Sequence, residues 1–356
     1  MLRIVFYACS LTLLSCIGKV TEKSKIKDYT LNYLSLGISF PPVSDIEQRN
    51  FTRLLLDELQ VNQIRISEDW ALREPTKGNF NWAPLDERIN WAYTNNYHIL
   101  LTIQSNGPDW ACSSVNNNQS CVYNNSIDFK NYVEQLLIRY TGKIDKLQFG
   151  NEWQSEFWYA GNAQQFTEAS NIVYTANQTY SPSTQFVLGG FTTISLRFLA
   201  GCNGISNSFY DDEGNLYDQH YLESNCSTVE IQKIKDRIKF VLENALFDIL
   251  DIHLYDDVDQ WDEYYFHFKS MVTKPIIVSE FGGPNVNIEP INETYQAQQI
   301  EKYILKLDSL MITEAYFFKL VEGTNNPAHA KSGLIERQSL NKKEGFEIFK
   351  YYSTNN

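Results

Sequence analysis

The feature of this sequence that most constrains its fold is a repeated alternation of short apolar runs with longer amphipathic segments. The runs are rich in β-branched and aromatic residues and are nearly continuous in their apolar character, which is typical of strands buried on both faces of a parallel sheet. Eight such runs occupy residues 33–40, 62–70, 98–104, 146–150, 184–191, 247–255, 274–281 and 314–321.

The segments between these runs predict helices. The clearest follows the third run, where apolar residues recur with i, i+3, i+4 spacing at Phe129, Tyr132, Val133, Leu136, Leu137 and Tyr140. Further helices are predicted at about 45–59, 85–94, 163–179, 229–245, 261–272, 294–310 and 342–352. After the fifth run, the chain to about residue 226 indicates a long, loop-rich insertion instead.

Eight strand-helix units over about 320 residues predict an α/β fold, a single (β/α)8 TIM barrel with loop insertions. The barrel is expected to occupy residues 31–356 as one domain. An open doubly wound sheet is the alternative, but no GxGxxG motif follows the first run.

The N-terminus predicts export. Arg3 precedes an apolar stretch at 4–14 that is too short to span a bilayer. The stretch ends in Leu-Leu-Ser-Cys, so residues 1–16 resemble a bacterial signal peptide with a lipobox, in which Cys16 would be lipidated. Residues 17–30 are polar and lysine-rich and predict a tether. We therefore expect a lipid-anchored protein at the bacterial cell envelope; plain secretion and an uncleaved anchor are the alternatives.

Four cysteines remain beyond the signal segment, and an even number in an exported protein favours disulfides. Local pairing, Cys112–Cys121 and Cys202–Cys226, is favoured among the three possible pairings because each pair closes a polar loop. Zinc is the rival interpretation, but the sequence has no CxxC motif and no nearby histidine pair. His98, His220, His267 and His329 lack ligand spacing, so no metal or other cofactor is expected.

Charge excludes two classes of partner. The net charge of −13 argues against nucleic acid and against an anionic membrane surface, because both need basic patches. Contact with a membrane is expected only through the N-terminal lipid, and the sequence does not predict an oligomeric state.

Two glutamates follow predicted strands directly. Glu152 follows the fourth run within LQFGNEW, and Glu280 lies at the end of the seventh within PIIVSEFGG. In a TIM barrel the carboxyl ends of the strands form the active-site face, so the two side chains are expected to face each other there. A pair of carboxyl groups suits glycoside hydrolysis, which needs one acid and one nucleophile or base.

The motifs RISEDW…EPTKGNFNW, LQFGNEW, DIHLY and PIIVSEFGG resemble those of clan A glycoside hydrolases, the retaining (β/α)8 superfamily, in particular its family 39 and family 5 types. The resemblance covers nearly all of the mature chain. It implies hydrolysis of β-glycosidic bonds in oligo- or polysaccharides, with Glu152 as acid/base and Glu280 as nucleophile.

The resemblance also implies supporting roles. Asn151 would bind a sugar hydroxyl, Tyr255 would donate a hydrogen bond to the nucleophile, and Arg65 would keep the nucleophile ionised. His253 would be a subsite or supporting residue.

Aromatic residues beyond the strand ends are candidates for stacking on sugar faces, and ordinary loop packing is the competing interpretation. The candidates are Trp70, Trp110, Trp153 and Trp158. Many clan members carry a tryptophan at the end of the eighth strand, but this chain offers Phe318, Lys319 or Glu322 there. Lys319 raises the possibility of an acidic sugar.

Two rival functions stay open at this point. A non-catalytic glycan-binding lipoprotein on the same barrel would also explain the aromatic residues. A metal-dependent hydrolase or a Schiff-base aldolase would need clustered ligands or a lysine at a strand end, and Lys319 is the one candidate for the latter.

Overall fold

The computed structural model describes residues 27–114, 120–288, 292–323 and 326–355. These fold around a closed barrel of eight parallel strands. The strands, numbered β1 to β8 in chain order, are Ser35–Ser39, Gln63–Glu68, His98–Ile103, Lys146–Phe149, Gln185–Phe191, Ile249–Tyr255, Ile276–Gly282 and Glu314–Phe317. Strand β1 pairs in parallel with both β2 and β8, which closes the barrel. The predicted (β/α)8 architecture is confirmed.

Helices surround the barrel. In chain order, α1 to α11 of the described residues are Ile46–Leu59, Trp70–Arg73, Ala83–Thr94, Ser126–Tyr140, Ala163–Tyr180, Thr193–Cys202, Gln219–Asn225, Val229–Asn244, Trp261–Ser270, Glu293–Ser309 and Glu344–Thr354. Two short antiparallel hairpins lie in the loops, Cys112–Ser114 with Val122–Tyr123 and Phe209–Tyr210 with Leu216–Tyr217.

Local capping explains where several helices begin. The side chain of Asp45 accepts a hydrogen bond from the backbone N–H of Gln48 and so caps α1. Asn162 and Gln165 form a reciprocal capping box at the start of α5. In α4 all six apolar residues predicted to share one face are buried, as the i, i+3, i+4 spacing required.

The region after β5 differs from the predicted loop-rich insertion, because it contains α6 and α7. Helix α6 starts directly after the strand, where Thr192 caps it, and spans only ten residues. Such a short apolar segment shows too few turns for its period to be recognised from sequence. The insertion packs against the start of α8 in a small core of Phe198, Phe209, Leu222 and Ile231.

Both expected disulfides are present. Cys112–Cys121 joins the two sides of the first hairpin region, with Cα atoms 5.3 Å apart. Cys202–Cys226 joins the end of α6 to the end of α7, with Cα atoms 5.4 Å apart. Each bridge therefore fixes a loop on the face of the barrel where the strands end.

The barrel interior changes from apolar to polar along its axis. The apolar part is a cluster contributed by five strands, Leu100, Val187, Ile249, Ile277 and Tyr316. Further towards the carboxyl ends, Arg65 Nε donates to Thr102 Oγ1 at 2.9 Å and to Gln148 Oε1 at 3.0 Å. Gln148 Nε2 in turn donates to Asp251 at 2.5 Å. This network forms a rigid polar floor beneath the strand ends.

The predicted signal segment, its Cys16 and the tether as far as residue 26 lie outside the described residues. The last four residues of the predicted tether, 27–30, contact the barrel: Lys27 N donates to Glu301, and the Tyr29 hydroxyl donates to Asp308. Among the described helices, none combines the length and the apolar character needed to cross a bilayer.

Candidate active site

A cavity of about 270 Å³ opens at the carboxyl ends of the strands. Its lining includes Gln104, Asn151, Glu152, Tyr255 and Glu280, which come from four different strand ends. The two predicted glutamates therefore share one cavity.

Glu280 lies in β7 and is buried among groups that favour its charged form. Arg65 Nη1 lies 2.5 Å from Glu280 Oε1, and the Tyr255 hydroxyl donates to Oε2 at 2.7 Å. Burial alone would raise the pKa of Glu280, but the charges of His253 and Arg65 and these two hydrogen bonds outweigh it, so the pKa is lowered. Glu280 is thus held as a carboxylate.

Glu152 follows β4 on a tight turn. Gly150 has φ +80°, which glycine adopts readily, and Glu152 itself has φ +47°, in the left-handed region that is sparsely populated by non-glycine residues. The turn is tied to the next strand, because the backbone N–H of Glu152 donates to the Gly190 carbonyl at 2.9 Å. A strained position held by its surroundings is common at functional sites.

His253 connects the two glutamates. Its Nδ1 lies 2.9 Å from Glu152 Oε1, and its Nε2 lies 3.8 Å from Glu280 Oε1 and 3.5 Å from Asp251 Oδ2. Burial would lower the pKa of the imidazole, but the charges of Glu280 and Asp251 and the hydrogen bond to Glu152 raise it to about 10. The ring is therefore a cation at neutral pH, placed between the side chains of Glu152, Glu280 and Asp251.

Asn151 is buried beside Glu152, and its Oδ1 accepts a hydrogen bond of 2.9 Å from Arg65 Nη2. Because the amide oxygen is already bonded, the Nδ2 group is the part of this side chain that can donate to a ligand. Arg65 thus contacts both Asn151 and Glu280 and sets their relative positions.

Two of the proposed sugar-stacking tryptophans do not reach the cavity. Trp70 is fully buried, stacks on Tyr132 and donates from its indole to Glu74. Trp153 is also fully buried, with its ring stacked on Phe166 and its indole N–H bonded to the Gly189 carbonyl. Both rings belong to the packing between barrel and helices, which corrects the expectation that they bind substrate.

The other three candidates, Trp110, Trp158 and Lys319, lie in three different places. Trp110 is half-buried, its indole N–H donates to the Glu74 carbonyl, and its ring packs edge-on against Trp70, so it does not line the 270 Å³ cavity either. Trp158, in contrast, does line it. Lys319 follows β8 and lines a neighbouring cavity.

Sequence reasoning missed two residues of the site, Asp212 and His329. His329 is buried, its ring lies 4.3 Å from that of Tyr255, and its Nε2 lies 3.9 Å from Asp212 Oδ2. Burial opposes ionisation of Asp212, but its interactions with the nearby His329 lower its pKa. Both residues lie more than ten positions after the preceding barrel strand ends, so no motif indicated them.

No group of three or more His, Cys, Asp or Glu side chains with metal-binding geometry occurs in the described ranges.

Comparison with known proteins identifies related sequences. Residues 205–347 match the family model "Glycosyl hydrolase catalytic core". The endo-1,4-beta-xylanase B of Humicola insolens is 24% identical over 120 residues, which is 33% of this chain and 32% of the xylanase. The matched region thus spans about a third of that relative.

Solved structures share the fold. A family 39 glycoside hydrolase from Bacteroides cellulosilyticus WH2 superposes with a TM-score of 0.62 at 11% identity, covering 90% of this chain and 63% of that one. A monomeric beta-xylosidase from Caulobacter crescentus CB15 gives 0.61 at 11% identity, covering 92% and 69%. An exo-beta-1,4-mannosidase from Opitutaceae bacterium strain TAV5 gives 0.60 at 13% identity, covering 93% and 62%. In its fold the chain is therefore similar to these glycoside hydrolases, and its residues 205–347 match the glycosyl hydrolase catalytic core, in agreement with the resemblance seen in its motifs.

Proposed function

We propose that this protein is a retaining glycoside hydrolase that cleaves β-glycosidic bonds in oligo- or polysaccharides. The observation that supports this most strongly is the position of two glutamate side chains around one imidazole. Glu152 and Glu280 line the same cavity and approach opposite nitrogens of His253, at 2.9 and 3.8 Å.

In the first step, a Glu280 oxygen attacks the anomeric carbon and forms a glycosyl ester. The bond to the leaving oxygen breaks, and that oxygen takes both bonding electrons and a proton from Glu152. In the second step, Glu152 removes a proton from water, the water oxygen bonds to the anomeric carbon, and Glu280 leaves as a carboxylate. Two displacements at one carbon retain its configuration.

The neighbouring residues fit these roles. Arg65 and Tyr255 hold one oxygen each of Glu280, so the carboxylate is oriented before substrate arrives. His253 contacts Glu152 and can stabilise its anionic form, which exists after the proton has left. Asn151 offers its amide N–H to a sugar hydroxyl.

We also propose that the enzyme acts outside the cytoplasm. Two disulfides support this, because such bonds persist in oxidising compartments. Lipid attachment at Cys16 is part of the proposal. Labelling with a fatty-acid analogue in a bacterial host, compared between wild type and Cys16→Ser, tests it: loss of label is expected, and equal label would contradict it.

A screen of polysaccharides and aryl glycosides tests the activity. Wild type should hydrolyse at least one substrate, and Glu280→Gln and Glu152→Gln should each lose several orders of magnitude in rate while keeping the fold, as judged by circular dichroism. Glu156→Gln removes an exposed carboxylate on the same loop and should leave the rate unchanged. Near-normal turnover by either active-site variant would contradict the assignment, and binding without hydrolysis by wild type would favour a glycan-binding protein.

A further inference from the structure

A second cavity adjoins the first. It has a volume of about 630 Å³ and lies between the loop after β1, the segment after β8 and residues near Arg337. Phe40 lines both cavities, and its ring lies 4.4 Å from the guanidinium of Arg65. A chain of sugar units bound at the two glutamates could therefore extend into the second cavity.

The wall of the second cavity contains two cations, Lys319 and Arg337, that lack an acidic partner. Within the described residues, no carboxylate lies within 4.0 Å of either side chain.

The other charged groups of the wall, except Glu47, form ion pairs. Arg88 is paired with Glu68 at 3.0 Å. Glu322 is paired with Lys343 at 2.9 Å and with Lys331 at 3.3 Å. Glu47, exposed in the first turn of α1, forms no ion pair among the described residues, so the wall has two unpaired cations and one unpaired carboxylate. The excess positive charge is unusual for a chain with a net charge of −13, and it lies in a concave surface where it can contact a ligand.

Lys319 also lies next to the wall of the first cavity. It directly follows Phe318, which lines the cavity of the two glutamates, and its ammonium lies 5.3 Å from the Phe318 ring. Burial and the charge of Arg337 lower the pKa of Lys319, whereas the charge of Glu280 opposes this change. An added anion between Lys319 and Arg337 would relieve the repulsion between them.

We propose that the second cavity is a subsite for an acid-substituted sugar unit, whose carboxylate or sulfate is bound by Lys319 and Arg337. Arginine can bind such a group through two parallel hydrogen bonds, and lysine adds a point charge. This inference rests on the proposed function, since it names the class of glycan that the two glutamates would cleave.

Calorimetric titration tests the subsite without turnover. In protein carrying Glu280→Gln, we would compare three acidic ligands with their neutral counterparts: β-1,4-linked oligoglucuronates, glucuronate-decorated xylo-oligosaccharides and sulfated β-linked galacto-oligosaccharides. At least one acidic ligand should bind more tightly than its neutral counterpart, and Lys319→Met and Arg337→Met should each weaken that binding about tenfold. The matched control, Lys233→Met, removes the same charge from the exposed face of α8 and should have no effect.

The ligand that responds distinguishes a carboxylate from a sulfate. If no acidic ligand binds better than its neutral counterpart, or if Lys319→Met and Arg337→Met behave like Lys233→Met, the subsite is contradicted, whatever the hydrolytic activity. If binding depends on Lys319 but wild-type protein hydrolyses none of these ligands or the aryl glycosides, the subsite stands and the proposed function fails.

Discussion

The hydroxyl of Tyr255 donates a hydrogen bond of 2.7 Å to Glu280 Oε2, on the opposite side of the carboxylate from Arg65. This bond stabilises the ionised form of Glu280 and helps lower its pKa. Tyr255→Phe removes the hydroxyl and keeps the ring that packs against His329.

We expect Tyr255→Phe to reduce kcat/KM by roughly 10- to 100-fold, because a hydrogen bond to a charged group contributes about 1.5–3 kcal/mol. The nucleophile must be ionised, so the acidic limb of the pH-rate profile should move to higher pH. Kinetics from acidic to neutral pH check both effects. An unchanged acidic limb would mean that Glu280 does not titrate as the nucleophile.

His253 should make stability depend on pH. Its pKa rises from 6.5 to about 10 on folding, so the stabilisation from the imidazolium is fully present below pH 6.5 and is lost as the pH rises towards 10. The free energy of unfolding of wild type should therefore fall over this range by more than that of His253→Asn. Urea titrations at several pH values measure the difference, and parallel slopes for the two proteins would contradict a protonated His253.

Replacing Trp153 and Trp158 by alanine should have different effects, the first on stability and the second on substrate binding. Trp153 is fully buried, so Trp153→Ala should lower the free energy of unfolding by about 3–5 kcal/mol. Trp158 lines the cavity, so Trp158→Ala should mainly raise KM, by roughly fivefold for a lost contact of about 1 kcal/mol. Denaturant titration and kinetics of both variants decide this, and a pure KM effect in Trp153→Ala would refute the structural assignment.

The Cys202–Cys226 bridge should support both stability and substrate binding. It joins two residues that are 24 positions apart in the sequence. The loop that it closes includes Asp212, which lines the cavity. Replacing both cysteines by serine should lower the free energy of unfolding by about 3 kcal/mol and raise KM. Asp212→Asn should raise KM with a smaller loss of stability, because the disulfide remains and only the contact with His329 changes. If the double serine variant loses stability with KM unchanged, the loop does not position Asp212 for substrate.

The two glutamates at the strand ends could be predicted, because a charged residue directly after a buried apolar strand needs a specific reason. Glu152 and Glu280 each follow an apolar strand directly, and the barrel topology brings such positions to one face. Arg65, His253 and Tyr255 also lie on predicted strands, but their supporting roles were implied by the family resemblance and not by strand position alone.

The rest of the site depends on the path of loops, which has no periodic pattern. Trp153 lies next to Glu152 in sequence, but the turn at Gly150 and Glu152 sends its ring under the barrel rim. Conversely, Asp212 and His329 reach the cavity from the insertion and from the segment after β8. Their positions follow from tertiary packing, which no local motif specifies.

Azide rescue most directly tests the division of roles between the two glutamates. With an activated aryl β-glycoside that wild type hydrolyses, Glu152→Ala should form the glycosyl-enzyme but resolve it slowly, and added azide should restore turnover and yield the β-glycosyl azide. Glu280→Ala should instead yield the α-glycosyl azide, because azide attacks in place of the missing carboxylate. Reversed anomers, or wild-type turnover by either variant without azide, would contradict the account.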